Sequence, residues 1–147
     1  MAFIPKDAKW YLAELVEALT VEGDPTLTIH INMILVRAGD PEEAYQSALQ
    51  LGSEYQTSYQ NPGGRTVTIR FAGIHTLNVI HDELEHGAEL SYRRIHSTDP
   101  ATASTLARPK AELGVFAARR PNTGPDYSSK SALEDAARLL DSSTKPA

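Results

Sequence analysis

The sequence predicts an α+β fold: an antiparallel sheet of about four strands with one main helix on one face, followed by a largely disordered C-terminal tail. Three observations predict it. Residues 28–37 are a β-branched, apolar run with no breaker, and a helix-start signature follows at once in Asp40-Pro41-Glu42-Glu43. Residues 66–74 then alternate apolar and polar side chains with the period of a half-buried strand.

The first element, residues 10–22, is ambiguous on pattern alone. Leu12, Leu15, Val16 and Leu19 fit the spacing of an amphipathic helix, whereas Glu22-Gly23-Asp24-Pro25 is turn chemistry that invites a hairpin with the next strand. Residues 28–37 are a strand. On it His30 and Asn32 share one face, opposite Ile29, Ile31, Met33 and Leu35; the polar pair could stand in a cleft, and a polar outer face is the simpler account.

At the helix start Asp40 is a natural cap, Pro41 fits the first helical position and Glu43 completes a capping box. The helix should run to about Tyr55, with Ala44, Ala48, Leu51 and Tyr55 on one stripe against the sheet. Gly52 costs such a helix about 1 kcal/mol relative to Ala. It marks either fraying near the end or a close approach to a strand.

Asn61-Pro62-Gly63-Gly64 turns the chain into the strand of Val67, Ile69 and Phe71. After Gly87, Ala88, Leu90 and Tyr92 alternate with Glu89, Ser91 and Arg93, which predicts a further strand. A compact domain is therefore expected over residues 1–96. Residues 97–147 hold five of the nine prolines and few large apolar side chains, as expected of a mobile tail. Within it Ser131-Ala132-Leu133-Glu134 reads as a capping box and Leu133, Ala136, Ala137 and Leu140 as a short apolar stripe, giving a possible short helix at 132–140.

Composition narrows the chemistry. A chain of 147 residues with 41% hydrophobic content has one domain as its prior. No window approaches the roughly 18 apolar residues of a membrane span. The amino terminus has no apolar run of signal-peptide length, which implies a cytoplasmic protein. With no cysteine, disulfides, thiolate metal sites and cysteine nucleophiles are excluded. No Gly-rich phosphate loop, Gly-x-Ser-x-Gly elbow or paired-histidine motif occurs, so no cofactor, metal or catalytic residue is assigned. Residues 1–96 carry seven Lys/Arg against thirteen Asp/Glu, a balance that disfavours nucleic-acid binding by the core and suits a basic partner.

Trp10-Tyr11, Arg37-Ala38 before Asp-Pro-Glu-Glu-Ala-Tyr, Leu51-Gly52, Tyr59-x-Asn61-x-x-Gly64, Gly73 and Gly87-Ala88-Glu89 form a pattern over roughly residues 9–95. It resembles a family of small bacterial proteins known only as a domain of unknown function. The resemblance implies a β-β-α-β-β order in which the Trp-Tyr segment is the first strand. It carries no activity, ligand or catalytic residue. With 10–21 taken as a strand, both hairpin strands show apolar residues on two sides, so a single helix leaves a face uncovered. Homodimerisation through that face or a sheet edge is the economical expectation.

Chemistry is most concentrated in segment 80–90, where His81 and His86 stand among Asp82, Glu83, Glu85 and Glu89. If 76–86 were helical, the two histidines would diverge by about 140° and could not close on one ion, since zinc helices space their ligands four apart. A metal site would need a third ligand such as His30, His75 or His96. The four carboxylates are candidates for partner binding, and His81, His86, Arg93 and Arg94 for ligand contact.

The leading expectation is a bacterial cytoplasmic binding module that makes protein–protein contacts and self-associates. Alternatives are a metal-assisted or acid/base enzyme using the 81–86 segment, and an acidic immunity protein or antitoxin neutralising a basic partner. Nucleic-acid binding through Arg93, Arg94, Arg119 and Arg120 ranks last.

Overall fold

A computed structural model describes residues 9–120 and 123–143. Residues 1–8, on which the targeting expectation rests, lie outside it, as do 121–122 and 144–147 of the tail. The described residues form two units, one of 9–91 with 125–143 and one of Tyr92–Gly124.

The first unit contains strands β1 (Trp10–Val21) and β2 (Thr28–Arg37), helix α1 (Pro41–Glu54), and strands β3 (Thr57–Gln60) and β4 (Thr66–Val79). The sheet is antiparallel in the order β2-β1-β4-β3. The α+β outline of a four-stranded sheet with a helix is thus as expected. The first strand, expected from the resemblance, is present too, and three details of the rest differ.

Residues 10–21 are a strand. They read as helical because β1 is central: Leu15 and Leu19 face the α1 side while Leu12 and Val16 face the other, and a strand apolar on both sides loses its clean alternation. The α1 side of the core comprises Tyr11, Ala13, Leu15, Val36, Ala38, Ala44 and Ala48, with Phe71, Ile74 and Leu77 packed against it.

β4 continues to Val79, so 76–79 are strand and the hypothetical helix over 76–86 does not exist. Its register against β1 shifts twice, and Ala72 and His75 have no partner position on β1. Each of these bulges adds one residue, so Phe71, Ile74 and Leu77, spaced by three, all face the same side. A spacing of three looks helical in a sequence. Gly73, between the bulges, has φ +147°, a backbone that side-chain-bearing residues rarely adopt.

The strand predicted at 88–93 is absent. Residues 88–97 have no regular structure, and Leu90 and Tyr92 are exposed. The sheet's remaining edge is taken instead by β3, a four-residue strand, Thr-Ser-Tyr-Gln, with no apolar alternation to announce it. Gly87, with φ +86°, sits in a turn closed by Ala88 N–H donating to Glu85 C=O at 3.0 Å, rather than before a strand.

The helix start is as the sequence dictates. Asp40 Oδ1 accepts the Glu43 amide at 2.8 Å, and Glu43 Oε2 reaches back to the Gly39 amide at 3.0 Å. The second unit holds α2 (Thr102–Leu106) and a 3-10 turn at Lys110–Glu112, with its residues exposed nearly throughout. Helix α3 (Lys130–Ser143) is as long as α1, so the one-helix outline is incomplete. Ser129, two residues before the predicted capping Ser131, accepts the Ala132 amide at 3.3 Å.

Candidate functional site

β2 is an edge strand, and the register with β1 sorts its side chains by face. Val36, Ile34, Asn32, His30 and Thr28 pair with Tyr11, Ala13, Leu15, Glu17 and Leu19 and lie on the α1 side. Leu35, Met33, Ile31 and Ile29 lie on the other. The expected polar outer face is thus reversed: the polar pair His30 and Asn32 is on the side that carries the helix, and the apolar row is on the side that does not. Ile29, Ile31, Met33 and Leu35 are 50, 45, 57 and 45% exposed, so about half of each side chain meets water. Burying such a side chain fully, relative to leaving it exposed, is worth about 1.5–3 kcal/mol, so about half of that remains unrealised at each position of the open row. Trp10 and Arg37, paired at the end of the same face, stack with the guanidinium carbon 5.9 Å from the ring centroid.

Segment 80–90 is a looped link. Ile80 is buried and extends the sheet by one bond, its amide donating to Trp10 C=O at 2.9 Å. Thereafter His81, Asp82, Glu83, Glu85, His86 and Glu89 are all exposed. Asp82 Oδ2 accepts the Glu89 amide at 2.9 Å, tying the two ends of the link together. One acidic residue therefore shapes the loop, and Glu83 and Glu85 stand out from it. Among the described residues no three His, Asp or Glu side chains are grouped so as to hold a metal ion. His81 and His86 gain no third ligand from His30, His75 or His96.

In the second unit Arg94 packs on Tyr92, with its guanidinium carbon 5.5 Å from the ring centroid and Nη2 donating to the phenol oxygen at 3.3 Å. Arg119 and Arg120 line an open cleft of about 650 Å3 with Arg108; Arg93 and Arg94 are not in its lining.

No local pattern signals the contact between Asn61 and Asp126. Asn61 is 4% exposed, its amide donates to Arg65 C=O at 2.9 Å and its Oδ1 accepts the Arg65 amide at 3.0 Å. That fixes the orientation of the carboxamide, whose Nδ2 donates to the Asp126 carbonyl at 3.0 Å. Tyr59 on β3 donates its hydroxyl to the Tyr127 carbonyl, and the Tyr127 hydroxyl is hydrogen-bonded to Thr28 Oγ1 on β2. Desolvation, with the nearby Asp126 carboxylate second, raises the Tyr59 phenol above its ordinary value.

The model of the family described as Domain of unknown function (DUF4288) matches residues 10–92, more than half of the chain. The chain belongs to the DUF4288 family. No curated protein and no solved structure matches it. The DUF4288 segment contains all four strands, α1, the open face of β2, the acidic link, and Tyr59 and Asn61. It ends before residues 125–129, so the family domain holds one side of the Asn61 contact and the appended chain the other. No helix among the described residues is long and apolar enough to cross a membrane.

Proposed function

We propose that this DUF4288 protein is a non-catalytic interaction module of the bacterial cytoplasm that associates with a second copy of itself through β2. The observation that carries the reading is the half-exposed row Ile29, Ile31, Met33 and Leu35 on an edge strand. Such a strand presents two unmet demands at once, a line of backbone groups without ladder partners and an apolar face. A second β2 laid antiparallel across a two-fold axis at Asn32 meets the first in full and the second in part, by setting the two apolar rows against each other. Ile29 then stands opposite Leu35 of the second copy and Ile31 opposite its Met33, because residues directly opposite in a ladder share a face. The two sheets become one, with a continuous apolar surface on the side away from α1.

The chain has no cysteine, so a single introduced thiol tests this geometry cleanly. Asn32→Cys, at the axis, should form an intermolecular disulfide under mild oxidation, since directly opposed residues lie about 4.5–5.5 Å apart. Thr57→Cys, on the other edge strand, should not. Equal cross-linking at both positions, or none at 32, contradicts the interface.

A second reading, of a basic protein partner held at the acidic link as an immunity protein or antitoxin would hold its target, is favoured by the exposure of all four carboxylates Asp82, Glu83, Glu85 and Glu89. A partner captured from cells should then dissociate steeply with added salt. A salt-insensitive partner speaks against it.

A further inference from the structure

Helix α1 ends at Glu54, two residues after the Gly52 that abuts Phe71, and its buried positions pack on Tyr11, Ala13, Leu15 and Val36. Farther along the same face Leu19, Val21 and Val67 are 3, 4 and 0% exposed. At this end Tyr127 bridges the two edge strands, its hydroxyl meeting Thr28 on β2 and its carbonyl meeting Tyr59 on β3. Thr28 shares a register position with Leu19, and Tyr59 with Val67, so both anchors stand on this face. Asn61 supplies the third anchor, to the Asp126 carbonyl.

The chemistry of the three anchors is that of peptide recognition. Tyr59 and Asn61 donate to backbone carbonyls, which every residue carries, whereas Thr28 meets a phenol, which only tyrosine carries. Asn61 is held rigidly by both of its bonds to Arg65, so its donor is aimed before any segment arrives. The segment is itself shaped for the site: Asp126 Oδ1 accepts the Ser128 amide at 2.9 Å, folding the chain around Tyr127. The receptor side lies within the DUF4288 match and the segment lies beyond it.

We propose that Thr28, Tyr59 and Asn61 form a recognition site for a tyrosine-centred peptide turn, and that residues 125–129 of the same chain occupy it as a tethered competitor. Tethering places the segment at an effective concentration of about millimolar, so a free peptide at micromolar concentration does not displace it. Weakening the tethered segment opens the site.

A fluorescently labelled peptide of residues 123–131, titrated against the full chain, tests this. The native chain should bind it weakly and the Tyr127→Ala chain roughly tenfold more tightly, a free-energy difference of about 1.4 kcal/mol. Adding Tyr59→Phe, which removes one donor and keeps the ring, should reverse most of that gain, and a peptide with phenylalanine at 127 should bind less well than the native peptide. If Tyr127→Ala fails to fold by circular dichroism, Tyr127→Phe carries the same comparison. Equal binding by the native and opened chains, or binding indifferent to Tyr59 or to the peptide's tyrosine, overturns the proposal.

Discussion

A Cβ built on Gly52 of α1 would stand 2.4 Å from Cε1 of Phe71 on β4. The ring occupies the volume that any side chain at 52 would need. Gly52 is therefore a contact residue, and of its two readings the close approach to a strand is the one realised. Overpacking of this kind costs about 1–3 kcal/mol, against about 1 kcal/mol that alanine gains over glycine within a helix. Gly52→Ala is expected to lower the urea midpoint. Combined with Phe71→Leu it should destabilise less than the two single changes added together.

Tyr11 is 2% exposed, and its hydroxyl has no hydrogen-bond partner among the described residues. Burial, then the Asp40 and Glu43 carboxylates, raises the phenol above its ordinary value of 10.0. A group whose folded value is raised contributes stability that is fully present below its unfolded value and is lost as pH rises through the folded one. The thermal midpoint of the native chain should therefore fall above pH 10.0, and that of Tyr11→Phe should fall less steeply. At neutral pH, Tyr11→Phe should be as stable as the native chain or more so, by up to about 1 kcal/mol, because it removes a buried polar atom without removing a bond.

Gly73 has φ +147° and no heavy atom within 4 Å of a built Cβ. Substitution there is limited by backbone conformation alone. Gly73→Ala should cost about 1–3 kcal/mol in chemical unfolding, and moving either bulge should scramble the alignment of Phe71, Ile74 and Leu77.

Reversing Glu83 and Glu85 to lysine should change stability by no more than about 0.5 kcal/mol, because both are exposed. Asp82→Lys should in addition loosen the link, through loss of its bond to the Glu89 amide, with faster hydrogen exchange at 89 as the readout.

What the sequence made legible was whatever is encoded locally. The Asp40 and Glu43 cap, the Gly23 turn and the apolar row of β2 all depend on residues within a few positions of one another. β4 was hidden in part because two bulges convert a strand's alternation into the three-residue spacing of Phe71, Ile74 and Leu77. β3 was hidden because an edge strand exposed on most of its positions needs no apolar alternation. The contacts of residues 126 and 127 were invisible for a different reason: they join residues 65 to 99 positions apart, two of the three through backbone carbonyls, which leave no trace in side-chain pattern. The histidines of segment 80–90 stand out by composition alone: the chain there is an exposed loop, and no third ligand is grouped with them among the described residues.

The proposed pairing of two chains through β2 is read out by sedimentation equilibrium of the native chain beside Ile31→Lys. The native protein at tens of micromolar should show twice the 16.0 kDa mass of one chain, and Ile31→Lys, folded by circular dichroism, should show the mass of one. A native chain of single mass at that concentration, or an Ile31→Lys protein that remains paired, rules out pairing through β2.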